Sequence, residues 1–272
     1  MARRGKRRSF LKYIIPLSLI SLAGFVAFQF VYPDVSALKK VNPKKTAMME
    51  YREAEWRGEG KKYKIDQKWV PLRAISPYLV KAVLIGEDDK FWKHEGFDYE
   101  AMQKAVEKDI KAKKFKLGGS TISQQLAKNL FLSPSKNPVR KLREAIITWR
   151  MEKLLSKKRI LELYLNVAEW GDRGIFGIET AARHYYGKPA SALGPEEAAR
   201  LAAVLPNPRK FNPVGGQRYV VNRSNLIYKI MVRRGIVVPE YEEVEEDREP
   251  DGLPEEGQSP PPSIIDAKPS SE

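Results

Sequence analysis

Cysteine is absent from the 272 residues, which excludes disulfides and thiolate chemistry. The absence leaves the compartment open, since proteins outside the cytosol can also lack Cys. Histidine occurs only at His94 and His184, so a zinc centre built from Cys and His is nearly excluded. No stretch sustains an apolar–polar alternation of strand period, and no internal repeat recurs. The glycine spacing and terminal Lys-Ser/Thr of a nucleotide-binding P-loop are missing as well.

What is present is positive charge, a formal +15, which suits an anionic partner such as nucleic acid, a lipid surface or a phosphorylated substrate. Its distribution is uneven. Residues 240–272 hold twelve acids against two bases, a net −10, which leaves +25 on the rest. This acidic, Pro-rich tail is expected to stay disordered, because it has too little apolar area to bury. At the other end, Arg3, Arg4, Lys6, Arg7 and Arg8 lie in a basic segment, 1–12, before an uncharged apolar run. That run suits a transmembrane helix over 13–32 with its basic flank cytoplasmic. A cleaved signal peptide is the alternative, with Val35-Ser36-Ala37 as a passable cleavage site.

Residues 33–69 show little clean periodicity and read as a membrane-proximal lead-in. A mainly helical domain is expected over 70–235. Ser76-Pro77 resembles an N-cap and first helical residue, opening a helix to about Gly86. Asp98 is placed to cap a helix over 99–113, and Ser120 to open another through Leu132 after the Gly118-Gly119 break. Asn137-Pro138 and Ser156 mark two more starts. Trp149, Met151, Leu154 and Leu155 are expected in the core.

Three stretches carry the chemistry. In "GEDDKFWKHEG" a helix end is followed at once by Glu87, Asp88 and Asp89. Unpaired carbonyls and like charges there disfavour ionisation and lift a carboxylate toward the range of a general base. Taken alone, the same triplet also suits a solvated acidic turn. In "GGSTISQQLAKN" a helical wheel gathers Thr121, Gln124, Gln125 and Lys128 on one face, suited to sugar hydroxyls and a phosphate oxygen. Ser120 lacks the surroundings of a nucleophile. In "SKNPVRKLRE" Lys136, Arg140, Lys141 and Arg143 surround Glu144, either as a solvated basic face or as a pyrophosphate cradle holding one carboxylate.

Together these stretches resemble the signature motifs of the bacterial peptidoglycan glycosyltransferases, family 51 of the glycosyltransferases. "KKRILELYLN" and "GIFGIETAARHYYGK" follow in that family's order, and the likeness spans about residues 70–215. It is closest to the monofunctional biosynthetic type, with too few residues after 215 for a transpeptidase domain. The resemblance implies a lysozyme-like helical fold with a small membrane-proximal lobe. It implies polymerisation of lipid II onto a lipid-linked growing chain, with inversion and release of undecaprenyl pyrophosphate. Glu87 then falls on the general base, and Glu144 on the second essential carboxylate. Asp88, Phe91, His94, Ser120, Thr121, Gln124, Gln125, Lys128, Asn129, Lys136, Arg140 and Lys141 fall on substrate-binding positions.

No residue is singled out as a metal ligand, and no cofactor is obligatory. Mg²⁺ or Mn²⁺ is compatible with carboxylates beside a pyrophosphate. The implied location is the bacterial cytoplasmic (inner) membrane, single-pass, with the catalytic domain extracytoplasmic. The implied partners are lipid II, the growing glycan and the membrane, with room for other cell-wall synthesis or division proteins. Nucleic acid is not among them, because the basic motifs lack interleaved aromatics. A glycan-cleaving lysozyme or lytic transglycosylase is the nearest rival, although hydrolysis gains nothing from a pyrophosphate cradle. A tethered protein that only binds anions is the non-enzymatic one.

Overall fold

The structure, a computed structural model, describes residues 13–21, 23–24, 27–28, 31–112, 119–134 and 137–237. The basic segment 1–12, Gly118, Lys136 and the acidic tail 240–272 lie outside the described residues. Residues 13–21 are helical, and among the described residues no helix is long and apolar enough to cross a membrane.

The architecture is mainly helical. Helix α1 spans Ala47–Gly58, α2 Pro77–Glu87, α3 Tyr99–Ala112, α4 Ile122–Phe131, α5 Pro138–Leu154 and α6 Lys157–Val167. After these come α7 Ile178–Tyr186, α8 Pro195–Val204 and α9 Arg218–Arg233. The one sheet among the described residues is minimal: β1, Asp66–Gln67, pairs parallel with β2, Ile175–Phe176.

Several starts follow local chemistry. Asp98 Oδ1 accepts the Ala101 N–H at 2.9 Å, Asn137 Oδ1 that of Val139 at 2.9 Å, and Ser156 Oγ that of Arg159 at 3.2 Å. Each satisfies a donor that an α-helix leaves orphaned in its first turn. Two expectations need correction. Ser76 does stand at the N-cap of α2 with Pro77 opening the helix, but its side chain makes no cap; its hydroxyl donates to the Leu193 carbonyl at 2.7 Å, fastening α2 to the approach of α8. The cap of α4 is Thr121, not Ser120. Its Oγ1 accepts the Gln124 N–H while Gln124 Oε1 accepts the Thr121 N–H, a reciprocal capping box.

The lead-in is built into the body rather than trailing before it. Thr46 caps α1, whose Met48, Met49 and Trp56 are buried. Val35 and Leu38 join the main core, and Arg150 Nη2 donates to the Val31 carbonyl at 2.7 Å. Arg159 Nε donates to the Leu38 carbonyl at 2.8 Å. Gly174, at φ +94°, lets the β2 approach pass β1: a Cβ there would stand 2.2 Å from the Lys64 carbonyl oxygen.

Two packing groups position the site. Helices α2, α8 and α9 pack together through Leu79, Ala82 and Val83, the alanine-rich face of α8, and Val220, Ile227 and Met231. The short alanine side chains allow close approach, and a Cβ at Gly86 would stand 3.3 Å from Ile227 Cδ1. Helix α4 lies against α5 and α6, with Ile122, Leu126 and Leu130 turned inward. In α5, Met151 is fully buried and Leu155 just beyond it nearly so. Trp149 and Leu154 are exposed, at 47% and 36%, contrary to the core expectation. Their exposure depends on tertiary packing, which the apolar pattern alone does not reveal.

Candidate active site

Glu87 is the last residue of α2, and its side chain is 9% exposed. Gln125 Nε2 donates to its Oε2 at 2.9 Å, and Arg223 Nη2 stands 3.4 Å from its Oε1. Burial raises the carboxyl's pKa, and the Gln125 hydrogen bond and the charges of Arg223 and Lys128 only partly oppose it. The direction agrees with the sequence reading, but the cause differs. The neighbouring acids are occupied elsewhere: Arg234 grips both oxygens of Asp89 and holds its carboxyl below the usual range.

Asp88 is buried and serves the architecture. Its Oδ2 accepts the Ile122 N–H at 2.9 Å, and its Oδ1 lies 2.8 Å from His94 Nε2. Gly96 N–H donates to His94 Nδ1 at 3.1 Å, which leaves the ring proton on Nε2 and directs it at Asp88. The Gly96 carbonyl accepts the Thr121 hydroxyl at 2.7 Å. At φ +91°, with a would-be Cβ 2.9 Å from Thr148 and Glu152 carbons, position 96 requires glycine. The "HEG" of the first motif therefore fastens the Glu87 turn to the start of α4.

Glu144 is buried on α5, 3% exposed, with Arg140 Nη1 on its Oε2 at 2.8 Å and the Lys141 ammonium on its Oε1. These i,i+4 and i,i+3 partners lie on one helix face. Between the two glutamates stands Lys128. Burial lowers its pKa, Glu144 and Glu87 oppose that change, and Arg140 and Lys141 add to it. Among the described residues the Lys128 ammonium makes no ion pair.

Lys128 lines a cavity of about 350 Å³ together with Gln125, Ser120, Arg140, Lys141 and Glu144, with Met102, Ala105 and Val106 also in its lining. A second cavity of about 230 Å³ is lined by Glu87, Asp88, Asp89 and Lys90. Gly119 and Ser120 border both, so the glutamates occupy adjoining chambers. A third, of about 200 Å³, continues past Gln125 and Lys128 to buried Asn129, Tyr164 and Glu169.

Other residues of the three motifs are largely committed to packing and capping, although Thr121 borders the second cavity. Phe91 is fully buried, packed edge-on against Trp92 and His94 with the Lys157 ammonium 4.5 Å from its ring centre. The Thr121 hydroxyl and Gln124 Oε1 are spent on the α4 cap, although Gln124 also borders the first cavity. Thr121 stands before the helix rather than on its polar face.

Sequence reasoning missed two residues. Arg223 lies at the edge of the buried α9 stripe formed by Val220, Ser224, Ile227 and Met231; a cation beside such a stripe was the available signal. Tyr164 is buried, and its hydroxyl donates to Gln125 Oε1 at 3.1 Å, which turns the Gln125 amide N–H toward Glu87. Burial pushes its phenol well above the ordinary range. Asn166, Glu162 and Glu179 prove structural. Asn166 exchanges two hydrogen bonds with the Val70 backbone, and Glu162 accepts the Leu72 N–H. Glu179 accepts the Ala190 N–H.

A buried carboxyl of raised proton affinity, beside a second carboxylate ringed by cations, equips a helical enzyme to activate a hydroxyl and to stabilise an anionic leaving group. The family model described as Transglycosylase matches residues 56–232, and the chain belongs to this family of glycosyltransferases. Similar proteins carry the name "Biosynthetic peptidoglycan transglycosylase". The one from Dechloromonas aromatica (strain RCB) is 56% identical over 172 residues, 63% of this chain and 74% of that protein. The one from Nitrosospira multiformis is 44% identical over 228 residues, 84% of this chain and 99% of its own. The Aromatoleum aromaticum relative is 48% identical over 215 residues, 77% and 93% respectively.

Proposed function

We propose that this glycosyltransferase builds peptidoglycan, polymerising lipid II into β-1,4-linked glycan strands. The acceptor sugar's 4-hydroxyl attacks C1 of the lipid-linked donor from the face opposite the pyrophosphate. The new C–O bond forms as the C1–O bond to pyrophosphate breaks, so the configuration inverts. The hydroxyl proton passes to Glu87, and undecaprenyl pyrophosphate leaves with the electron pair. A sugar hydroxyl is a very weak acid, so a base helps only as attack develops, and a carboxylate with raised proton affinity suits that task. The leaving pyrophosphate gathers charge in the transition state, where Lys128, Arg140 and Lys141 oppose it in a partly desolvated cavity. Glu144 fixes Arg140 and Lys141 in place for that encounter. Ser120, Gln125 and Asn129 supply hydrogen bonds to sugar and phosphate oxygens, and Lys136 a further cation.

A resident Mg²⁺ or Mn²⁺ fits the donor set poorly, because both Glu144 oxygens already carry cationic partners. No step is assigned to one. The reading also places the chain in the cell envelope, held to the inner membrane by residues 13–32 with its body outside the cytoplasm. Both substrates are lipid-linked, so an anchor in the same bilayer raises their local concentration.

One observation carries the reading: Glu87 and Glu144 line adjoining cavities that share Gly119 and Ser120. Incubation with purified lipid II tests it. Glycan strands with matching release of undecaprenyl pyrophosphate are expected. Soluble muropeptides released from purified cell wall, without polymer from lipid II, would instead make the enzyme a glycan-cleaving one.

A further inference from the structure

The geometry points to Arg223 as the positioning residue of the general base, holding the Glu87 carboxylate and the helix end that carries it in one grip. The inference rests on Glu87 being that base. Arg223 comes from α9, 136 residues further along the chain, and reaches back to the last turn of α2. Its Nη2 donates to the Gly86 carbonyl at 2.8 Å and stands 3.4 Å from Glu87 Oε1. The first contact satisfies a carbonyl that the end of a helix leaves orphaned. The second is long for a hydrogen bond and marks a contact with room to tighten. Among the described residues, buried Arg223 Nε has no hydrogen-bond partner. Nε and Nη2 form one edge of the guanidinium, the edge that grips a carboxylate with two parallel bonds. The fork is half engaged, and closing it onto Glu87 would satisfy the unmet donor.

The arrangement answers a difficulty built into the site. Burial favours the neutral acid, yet a base must start ionised. The groups facing Glu87 are few. Helix α4 contributes the Gln125 amide and the Lys128 ammonium, and α6 reaches it only through the Tyr164 hydroxyl on Gln125. On α2's own turn, Asp88 is held by His94 and the Ile122 N–H, and Asp89 by Arg234. Helix α8 offers Ala202 beside Gly86, and α9 offers Ile227, neither of them charged. Arg223 and Lys128 are thus the cations that favour the ionised carboxylate against burial, and Lys128 also faces Glu144.

The test uses the full chain with Arg223→Gln and Arg223→Lys. Polymerisation of lipid II is followed across pH, and the Glu87 carboxyl is titrated by ¹³C NMR, with Glu87→Gln to assign its signal. For Arg223→Gln the acidic midpoint should rise by about one pH unit or more in both readouts. Its rate at neutral pH should fall by up to about tenfold per unit and recover in part at higher pH. For Arg223→Lys the midpoint should stay near native while the plateau rate drops severalfold, because an ammonium lacks the fork. An Arg223→Gln midpoint within a few tenths of native overturns the inference. If that variant does not fold, Arg223→Lys decides, and a native plateau overturns it equally. Absence of polymer from the native enzyme would remove the base assignment instead, with the NMR titration still judging Arg223's hold on Glu87.

Discussion

Asp88 accepts the backbone N–H of Ile122 at 2.9 Å, so the residue after the Glu87 carboxylate is bonded to the first residue of α4, 34 positions away. Helix α4 carries Gln125 and Lys128, so this bond fixes the Glu87 turn relative to both side chains. His94 completes the joint through the other Asp88 oxygen.

Removing either partner should loosen the same joint. Asp88→Ala should cost about 1–3 kcal/mol in urea unfolding, because it leaves a buried N–H unpaired. His94→Ala should cost less, and the double variant should fall short of the sum by at least about 0.5 kcal/mol. Additive costs would separate the two residues.

Glu87 should be a destabilising residue at neutral pH. Its carboxyl pKa is raised in the folded chain, so the folded state binds the proton more tightly than the unfolded. The penalty is absent below the unfolded value, grows as pH rises through the folded one, and is constant above. Glu87→Gln mimics the protonated acid, so it should raise Tm at pH 7–8 and lose that advantage near pH 4. Equal gains at both pH values would contradict the burial account.

Lys128→Met keeps most of the apolar stem and removes a half-buried ammonium that has no ion pair among the described residues. Thermal stability should hold or rise slightly, while polymerisation falls by about 10²–10³-fold, the scale for losing one donor to a developing anion. A large loss of stability would make Lys128 structural.

Asn166→Ala should do the opposite. The side chain is wholly buried, and its loss strands both the N–H and the C=O of Val70. Unfolding measurements should show about 2–4 kcal/mol of destabilisation from two unmet backbone groups. The activity of the remaining folded enzyme should stay within about twofold.

These cases show what the sequence made legible. Asp98, Asn137 and Ser156 announce their helices because capping is local, a matter of two or three residues. Glu144 with Arg140 and Lys141 was readable for the same reason, since one helix turn brings them together. Arg223 and Tyr164 were not, because they meet Glu87 and Gln125 only after α9 and α6 dock. The cause of Glu87's raised pKa was misread likewise: like charges are visible in "EDD", whereas the burial that dominates belongs to tertiary packing. The helix over Ala47–Gly58 went unseen because its buried positions, Met48, Met49 and Trp56, are too few for a clean stripe.

The most direct measurement is the polymerisation rate of Glu87→Gln at saturating lipid II, taken beside its affinity for a non-polymerisable lipid II analogue. The account predicts a rate lower by about 10²–10⁴-fold, the range for losing a general base, with affinity within a few-fold of native. A rate within tenfold of native, at equal affinity, would contradict it.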